Sequence, residues 1–312
     1  DSHCMIVTRK GRLVREWYWD GWDHTTQQIV HSVTKSFTST LVGIAQDRDL
    51  LSVEEPASKW ITEWAGGASA GVTVKNLLSN DSGREWTFLK DYVEMAGGAA
   101  DKTGFAIGLG QDDEPGTHWE YNNSAIQTLE RVLKLATGDD VAAFAQANVF
   151  KPLGMKATMD HDAAGNTLTF GNLKASCDDL ARFGYLYLRG GKWKDQQIVS
   201  KAYVEEATSV SQPLNDAYGY LFWLNNDGHF VRPSSPARKE GEGKQIEKLP
   251  ESTFSALGLG GQMITVDPEH EIVFARIGGS GDAVSAVLSG GDPVGQDVVS
   301  ALGNALGDAI TK

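Results

Sequence analysis

This 312-residue chain contains two cysteines, Cys4 and Cys177. Two thiols so far apart make neither a disulfide framework nor a metal cluster. Cys4 reads as part of a buried first strand. Cys177 reads as a free thiol at the start of a helix, with no histidine or Cys-x-x-Cys beside it to make it reactive. Positive charge is also scarce: 28 Lys and Arg against 41 Asp and Glu leave a net charge of -13. Binding to nucleic acid or to an anionic membrane needs clustered cations, and no such block exists. No apolar run approaches the roughly 18 residues of a membrane-spanning helix. No secretory signal pattern opens the chain. Asp1 stands first, which fits a processed or trimmed start of a soluble protein and leaves cytoplasm, periplasm and exterior all open.

Several catalytic signatures are missing as well. There is no Gly-x-Ser-x-Gly elbow of an α/β-hydrolase and no His-Glu-x-x-His. The Gly-rich runs 258–261 and 278–281 begin no βαβ unit, so a nucleotide cofactor is not expected. Asp160-His161-Asp162 starts like a calcium loop, but the twelfth position is Gly171 rather than Glu. The expectation is a protein that works without metal or organic cofactor.

What is present is a patterned chain with ample apolar material for a large core. Residues 4–19 read as a hairpin turning at Lys10-Gly11, followed by a polar loop from Asp20 to Gln28. Val33, Phe37, Leu41, Val42 and Ile44 recur at helical spacing, which predicts a helix over 32–48. Thr73 heads a short helix, Ala125–Ala136 ends at Gly138, and Val141–Val149 is closed by Lys-Pro-Leu-Gly. Ser176 is the expected N-cap of a helix over 177–189. Residues 96–118 read as a Gly-rich loop and 225–251 as a polar flap. Between them, Tyr218–Leu224 is a strand candidate; beyond them come Thr253–Gly258, Met263–Val266 and Ile272–Ile277, then a helix near 294–310. Strands at both ends and helices between predict an α/β (α+β) fold. Its antiparallel sheet is built from 1–49 and 201–312, with 50–200 inserted as a mostly helical domain.

Three short motifs carry chemistry. Ser32-Val33-Thr34-Lys35 opens the first helix, so the two side chains lie one turn apart on one face. A serine hydroxyl needs a base to become a nucleophile, and a lysine held neutral can be that base. The helix start adds unpaired N–H groups and a positive dipole end. Alone the pattern is weak, since about one match arises by chance in a chain this long; Ser32 as a plain N-cap and Lys35 as a solvated cation is the bland alternative. Tyr121-Asn122-Asn123 is the only Tyr-x-Asn among eight tyrosines. Its phenol could pass a proton, and the bland alternative is a packed tyrosine at a helix end. Ala256-Leu257-Gly258-Leu259-Gly260-Gly261-Gln262 puts glycines at a strand edge, where a ligand can approach the backbone or a tight bend can form. His31 and His118 flank the first two motifs and read as solvated neighbours, and Trp119 and Trp223 as the tryptophans nearest substrate.

Ser-x-x-Lys, then Tyr-x-Asn, then a Gly-rich late strand, in that order, resembles the serine β-lactamase and penicillin-binding-protein superfamily, in particular its class C-like branch of esterases and aminohexanoate-oligomer hydrolases. Leu77-Leu78-Ser79, Lys151-Pro152-Leu153-Gly154-Met155 and Asp179-Leu180-Ala181-Arg182-Phe183-Gly184 extend the likeness over essentially the whole chain. The resemblance implies Ser32 as the acylated nucleophile, Lys35 as its base and Tyr121 as proton shuttle. It implies Asn123 as the residue that positions Lys35 and substrate. The amides of Ser32 and Leu259, beside Gly258, would form the oxyanion hole. One departure bears on substrate: many members carry Lys-Thr-Gly where this chain has Ala256-Leu257-Gly258. Loss of that cation removes a charge-assisted hydrogen bond to a substrate carboxylate, typically ~1.5–3 kcal/mol. The expectation is therefore hydrolysis of small esters or amides. A β-lactamase or D,D-peptidase, and a non-hydrolysing penicillin-binding sensor, are the alternatives.

Overall fold

The computed structural model describes residues 2–234, 238–279 and 296–310. Strands β1 (Ser2–Arg9) and β2 (Arg12–Tyr18) form the opening hairpin. The short strand β3 (Gln28–Ile29) pairs with β4 (Lys174–Ala175), and β5 (Lys192–Trp193) with β6 (Gln196–Gln197). Then come β7 (Trp223–Leu224), the hairpin β8 (His229–Arg232) and β9 (Lys239–Glu242), and the run β10 (Phe254–Gly258), β11 (Gln262–Asp267) and β12 (Ile272–Gly278). The main sheet has six antiparallel strands in the order β2-β1-β12-β11-β10-β7. Its centre thus joins the first strand of the chain to one of the last, Ile6 opposite Ala275.

Helix α1 (Val33–Asp47) packs against β10 and β11. Every residue from Val33 to Ala45 is buried, so this is a central helix rather than a surface one. Phe37 stacks on Phe183 at 3.7 Å between ring centroids and meets Phe150 edge-on at 6.0 Å. Full burial of each such side chain contributes about 1.5–3 kcal/mol. The chain then forms α2 (Val74–Ser79), α3 (Lys102–Gly108), α4 (Asn123–Gln127), α5 (Leu129–Thr137), α6 (Val141–Ala145) and α7 (Lys151–Leu153), of which α5 packs against α1. Two segments, Leu89–Gly98 and Gln146–Phe150, are wound as π-helix. Helix α8 (Cys177–Leu188) falls within 50–200 but lies across β12, β11 and β1. A Cβ at Gly184 would come within 2.4 Å of Val273 and 2.8 Å of Ile264, so only glycine permits that approach. Ser176 starts α8 with a reciprocal capping box to Asp179, and Thr73 starts α2 the same way with Asn76. Helix α9 (Lys201–Ala207) and a helix over Gln296–Ile310 complete the described chain.

The structure corrects four expectations. Cys4 and Cys177 are bonded to each other and tie β1 to the first residue of α8; sheet topology, which spacing in the sequence does not reveal, brings them together. The stretch 96–118 is not a plain loop, since it holds α3 and the end of the π segment. Tyr218–Leu224 yields only the two residues of β7, because Gly219 N–H bonds Phe222 O and Leu221 turns through φ +60°. The polar flap 225–251 contains an ordered hairpin, β8 and β9. Ser235-Pro236, Ser280-Gly281 and residues 294–295 of the last expected helix lie outside the described residues.

Candidate active site

Ser32 occupies the N-cap position of α1, yet its hydroxyl caps nothing. The bland reading of Ser32 as a helix cap therefore loses its physical basis. The hydroxyl instead faces Lys35, whose Nζ lies 2.8 Å from Ser32 Oγ and 2.7 Å from the carbonyl oxygen of Phe170. Lys35 is 1% exposed, so it is not a solvated cation. Burial pulls its pKa down to about 7, and the charge of Asp91 partly opposes that fall. Near neutral pH a large fraction of Lys35 is thus an uncharged amine within reach of a serine proton.

The approach to Ser32 is built from a strap of chain. Val30 N–H bonds Leu173 O, and Thr34 Oγ1 accepts from Leu173 N–H at 3.0 Å while donating to His31 O. These bonds continue the β3–β4 pairing and fix the Phe170 carbonyl against Lys35. His31 turns through φ +48°, an uncommon region for a residue with a side chain. It is half-buried rather than fully solvated. Burial and the neighbouring Lys35 push its pKa down to about 4, so it is neutral at pH 7.

Tyr121 sits one residue ahead of the N-cap of α4. Asn122 makes that cap, its side chain accepting from Ala125 N–H at 2.8 Å. The Tyr121 ring lies 4.8 Å from Lys35 Nζ, and its phenol shares a hydrogen bond with the Ser32 side chain. Burial raises the phenol pKa, so Tyr121 stays protonated. Trp223 stacks on the ring at 5.8 Å, and Tyr218 and Trp119 pack edge-on behind. Both tryptophans therefore wall Tyr121 from the interior.

The third motif reaches the same place from the sheet. A Cβ at Gly258 would stand 2.3 Å from Val30 O and 3.3 Å from Ser32 N. Glycine is what lets β10 run this close to the Ser32 amide. Leu259 follows at the start of the bend, ahead of Gly260 and Gly261 with φ +79° and +73°. Among the described residues, the amides of Ser32 and Leu259 donate to no backbone or side-chain acceptor. The bend itself is pinned by Arg276, which donates to Gly261 O at 2.6 Å and to Gly260 O at 3.2 Å. Gln262 is wholly buried and exchanges two hydrogen bonds with the Gly278 backbone, a structural role. Ala256 lines a tight apolar recess with Phe183, Tyr187, Phe222 and Ile264.

Asn123 is the first residue of α4 and is 4% exposed. Its amide nitrogen donates to Asp91 at 2.7 Å. Asp91 and Arg276 were not among the residues singled out from the sequence. Asp91 stands in a segment with no clear period, and Arg276 is one polar residue in an apolar strand. Among the described residues no group of three or more metal-ligating side chains occurs, and no helix is long and apolar enough to cross a membrane.

The family described as Beta-lactamase matches residues 4–278. Over 298 residues the chain is 22% identical to the 6-aminohexanoate-dimer hydrolase of Paenarthrobacter ureafaciens, covering 88% of this chain and 72% of that one. Over 146 residues it is 30% identical to Esterase EstB of Burkholderia gladioli, covering 40% of this chain and 36% of the esterase. A candidate 6-aminohexanoate-dimer hydrolase from Bacillus anthracis shares the fold with a TM-score of 0.75 at 18% identity, over 98% of this chain and 80% of that one. The chain belongs to the beta-lactamase family. By class it is a serine hydrolase.

Proposed function

We propose that the chain hydrolyses small esters or amides through an acyl-enzyme on Ser32. The observation that carries this reading is a buried lysine, 1% exposed, with its amine 2.8 Å from the Ser32 hydroxyl. In the acylation step Ser32 Oγ bonds to the substrate carbonyl carbon and its proton passes to Lys35 Nζ. The carbonyl oxygen takes up negative charge between the amides of Ser32 and Leu259. The bond to the alkoxide or amine leaving group then breaks, and a proton reaches that group through the Tyr121 phenol. Water reverses the sequence: it gives a proton to the Lys35–Tyr121 pair, attacks the acyl carbon and releases the acid with Ser32 restored. Asn123 and Gly258 shape the space in which the carbonyl sits.

The preference for esters and linear amides over β-lactams rests on Ala256. Its recess is apolar and nearly closed, so no cation stands at that point of β10 to meet a substrate carboxylate. The hydrolase and esterase names of the relatives agree with this direction.

The test is intact-protein mass spectrometry combined with turnover of a panel of short-chain aryl esters, linear amides and a chromogenic cephalosporin. Ester or amide turnover and a transient mass increase, both abolished by Ser32→Ala, are expected. Full ester hydrolysis by Ser32→Ala would sink the reading. Cephalosporin turnover rivalling that of the esters would make the β-lactamase alternative the better one. A persistent adduct with no product would favour the sensor.

A further inference from the structure

Asp91 lies on the π-wound segment Leu89–Gly98, in a stretch without a recognisable motif, and is 1% exposed. Its carboxylate accepts four hydrogen bonds. Asn123 N–H and Asn123 Nδ2 reach Oδ2 at 3.2 and 2.7 Å. Ser124 N–H and Ser124 Oγ reach Oδ1 at 2.7 Å each. Each oxygen thus takes two donors, three of the four being N–H groups, and the Ser124 hydroxyl is the one partner that could also accept. Burial is the larger effect and raises the pKa of Asp91 above the usual carboxylate value, while these donors partly oppose the rise. The pattern of donors is that of a carboxylate.

Two consequences follow for the site described under the proposed function, on which this inference rests. The first is geometric. With Nδ2 held by Asp91, the carbonyl oxygen of the Asn123 side chain, an acceptor, is the polar atom left for another partner. The second is electrostatic. The titratable groups around Lys35 are His31 before α1, Tyr121 and Glu120 ahead of α4, and Asp91 and Tyr92 of the π segment. His31 is neutral and both tyrosines are protonated. Glu120 has its pKa raised to about 7 by burial and is bonded by Ser234. Asp91 is the group whose charge acts on Lys35 directly.

We propose that Asp91 is a positioning residue for catalysis: it fixes the Asn123 amide with its oxygen toward the site, and it supplies the buried negative charge against which Lys35 gains and loses its proton. A π-helical turn suits this task, since the widened backbone can bring a carboxylate to the first two N–H groups of α4.

Asp91→Asn tests both parts. The substitution keeps shape and removes charge, and its NH2 must face a donor from Asn123 or Ser124. For a short-chain aryl ester, kcat is expected to fall about 10- to 100-fold with a smaller change in KM. The acid limb of kcat/KM is expected to move to lower pH by roughly half a unit or more, because Lys35 loses the charge that favours its protonated form. Asp91→Ser is neutral, smaller and able to accept a hydrogen bond, so it carries the same expectation should the asparagine variant fold poorly. Ser124→Ala removes one bond to Asp91 but keeps its charge and its hold on Asn123; it is expected to lower stability and leave the limb in place. Because Glu120 titrates in the same range, the profiles are repeated in Glu120→Gln. Folded Asp91 variants whose acid limb coincides with that of Ser124→Ala overturn the inference and leave the proposed function standing. Hydrolysis retained in Ser32→Ala overturns both.

Discussion

Replacing Gly258 by alanine adds one methyl group where β10 runs beside the Ser32 amide. That carbon would stand 2.3 Å from Val30 O and 3.3 Å from Ser32 N. The first distance is far inside van der Waals contact, so β10 or the chain around Val30 must retreat. Gly258 does not adopt a positive φ, so the substitution adds bulk without forcing a forbidden backbone angle. Overpacking of this kind costs about 1–3 kcal/mol of stability. The catalytic loss is expected to be larger in consequence, because the retreat carries the Leu259 amide away from the Ser32 amide. Removing one oxyanion donor elsewhere costs about 10²–10³ in kcat, and a displaced donor is expected to approach that range. The assay is steady-state hydrolysis of a short-chain aryl ester, with thermal unfolding run in parallel at a temperature where the variant is folded. A folded Gly258→Ala enzyme with kcat within about three-fold of wild type would refute the argument that this glycine sets the oxyanion geometry.

Other expectations follow from the same geometry. Lys35→Met should abolish ester hydrolysis and, in the parent enzyme, activity should rise with pH through about 7 as Lys35 loses its proton. The stability effect has a definite sign: the folded pKa is below the unfolded one, so the unfolded chain binds more protons between them and wild-type stability increases with pH across that window. The gain in Tm from Lys35→Met is therefore expected to be greatest below about pH 7 and to vanish toward the unfolded lysine pKa, as chemical or thermal unfolding at several pH values would reveal. Cys4→Ser or Cys177→Ser opens the link between β1 and α8 and should lower stability by about 2–4 kcal/mol; alkylation under denaturing conditions, followed by mass measurement, would show no free thiol in the parent protein.

The sequence and the structure part company in an instructive way. Elements marked by local chemistry were legible: Thr73 and Ser176 announce helix starts, Gly138 a helix end, and Lys10-Gly11 a hairpin turn, because each acts through bonds within a few residues. The three motifs were legible for the same reason, as runs of adjacent residue types, and the fold brings Ser32, Lys35, Tyr121 and Gly258 to one place. Residues that act across the fold were not. Cys4 and Cys177 are 173 positions apart and meet only because β1 enters the sheet beside α8. Asp91 gains its meaning from α4, and Arg276 from a turn on a different hairpin. The flap over 225–251 was too polar to show strand alternation, and its hairpin is held instead by backbone pairing of His229–Arg232 with Lys239–Glu242.

The seam between β1 and β12 has a temporal meaning. Ribosomes deliver Ser32 well before Leu259 and the strand that closes against β1. A nascent or truncated chain can hold the serine and its lysine, yet it lacks the second amide and the sheet centre that would support it. On the proposed mechanism the site is therefore completed only when β10 to β12 have joined β1, and proteolytic fragments from either side of the seam are expected to be inert alone. Two such halves, mixed, could regain activity only by rebuilding that central pairing, which makes the seam a natural place to split the enzyme into a reporter of association.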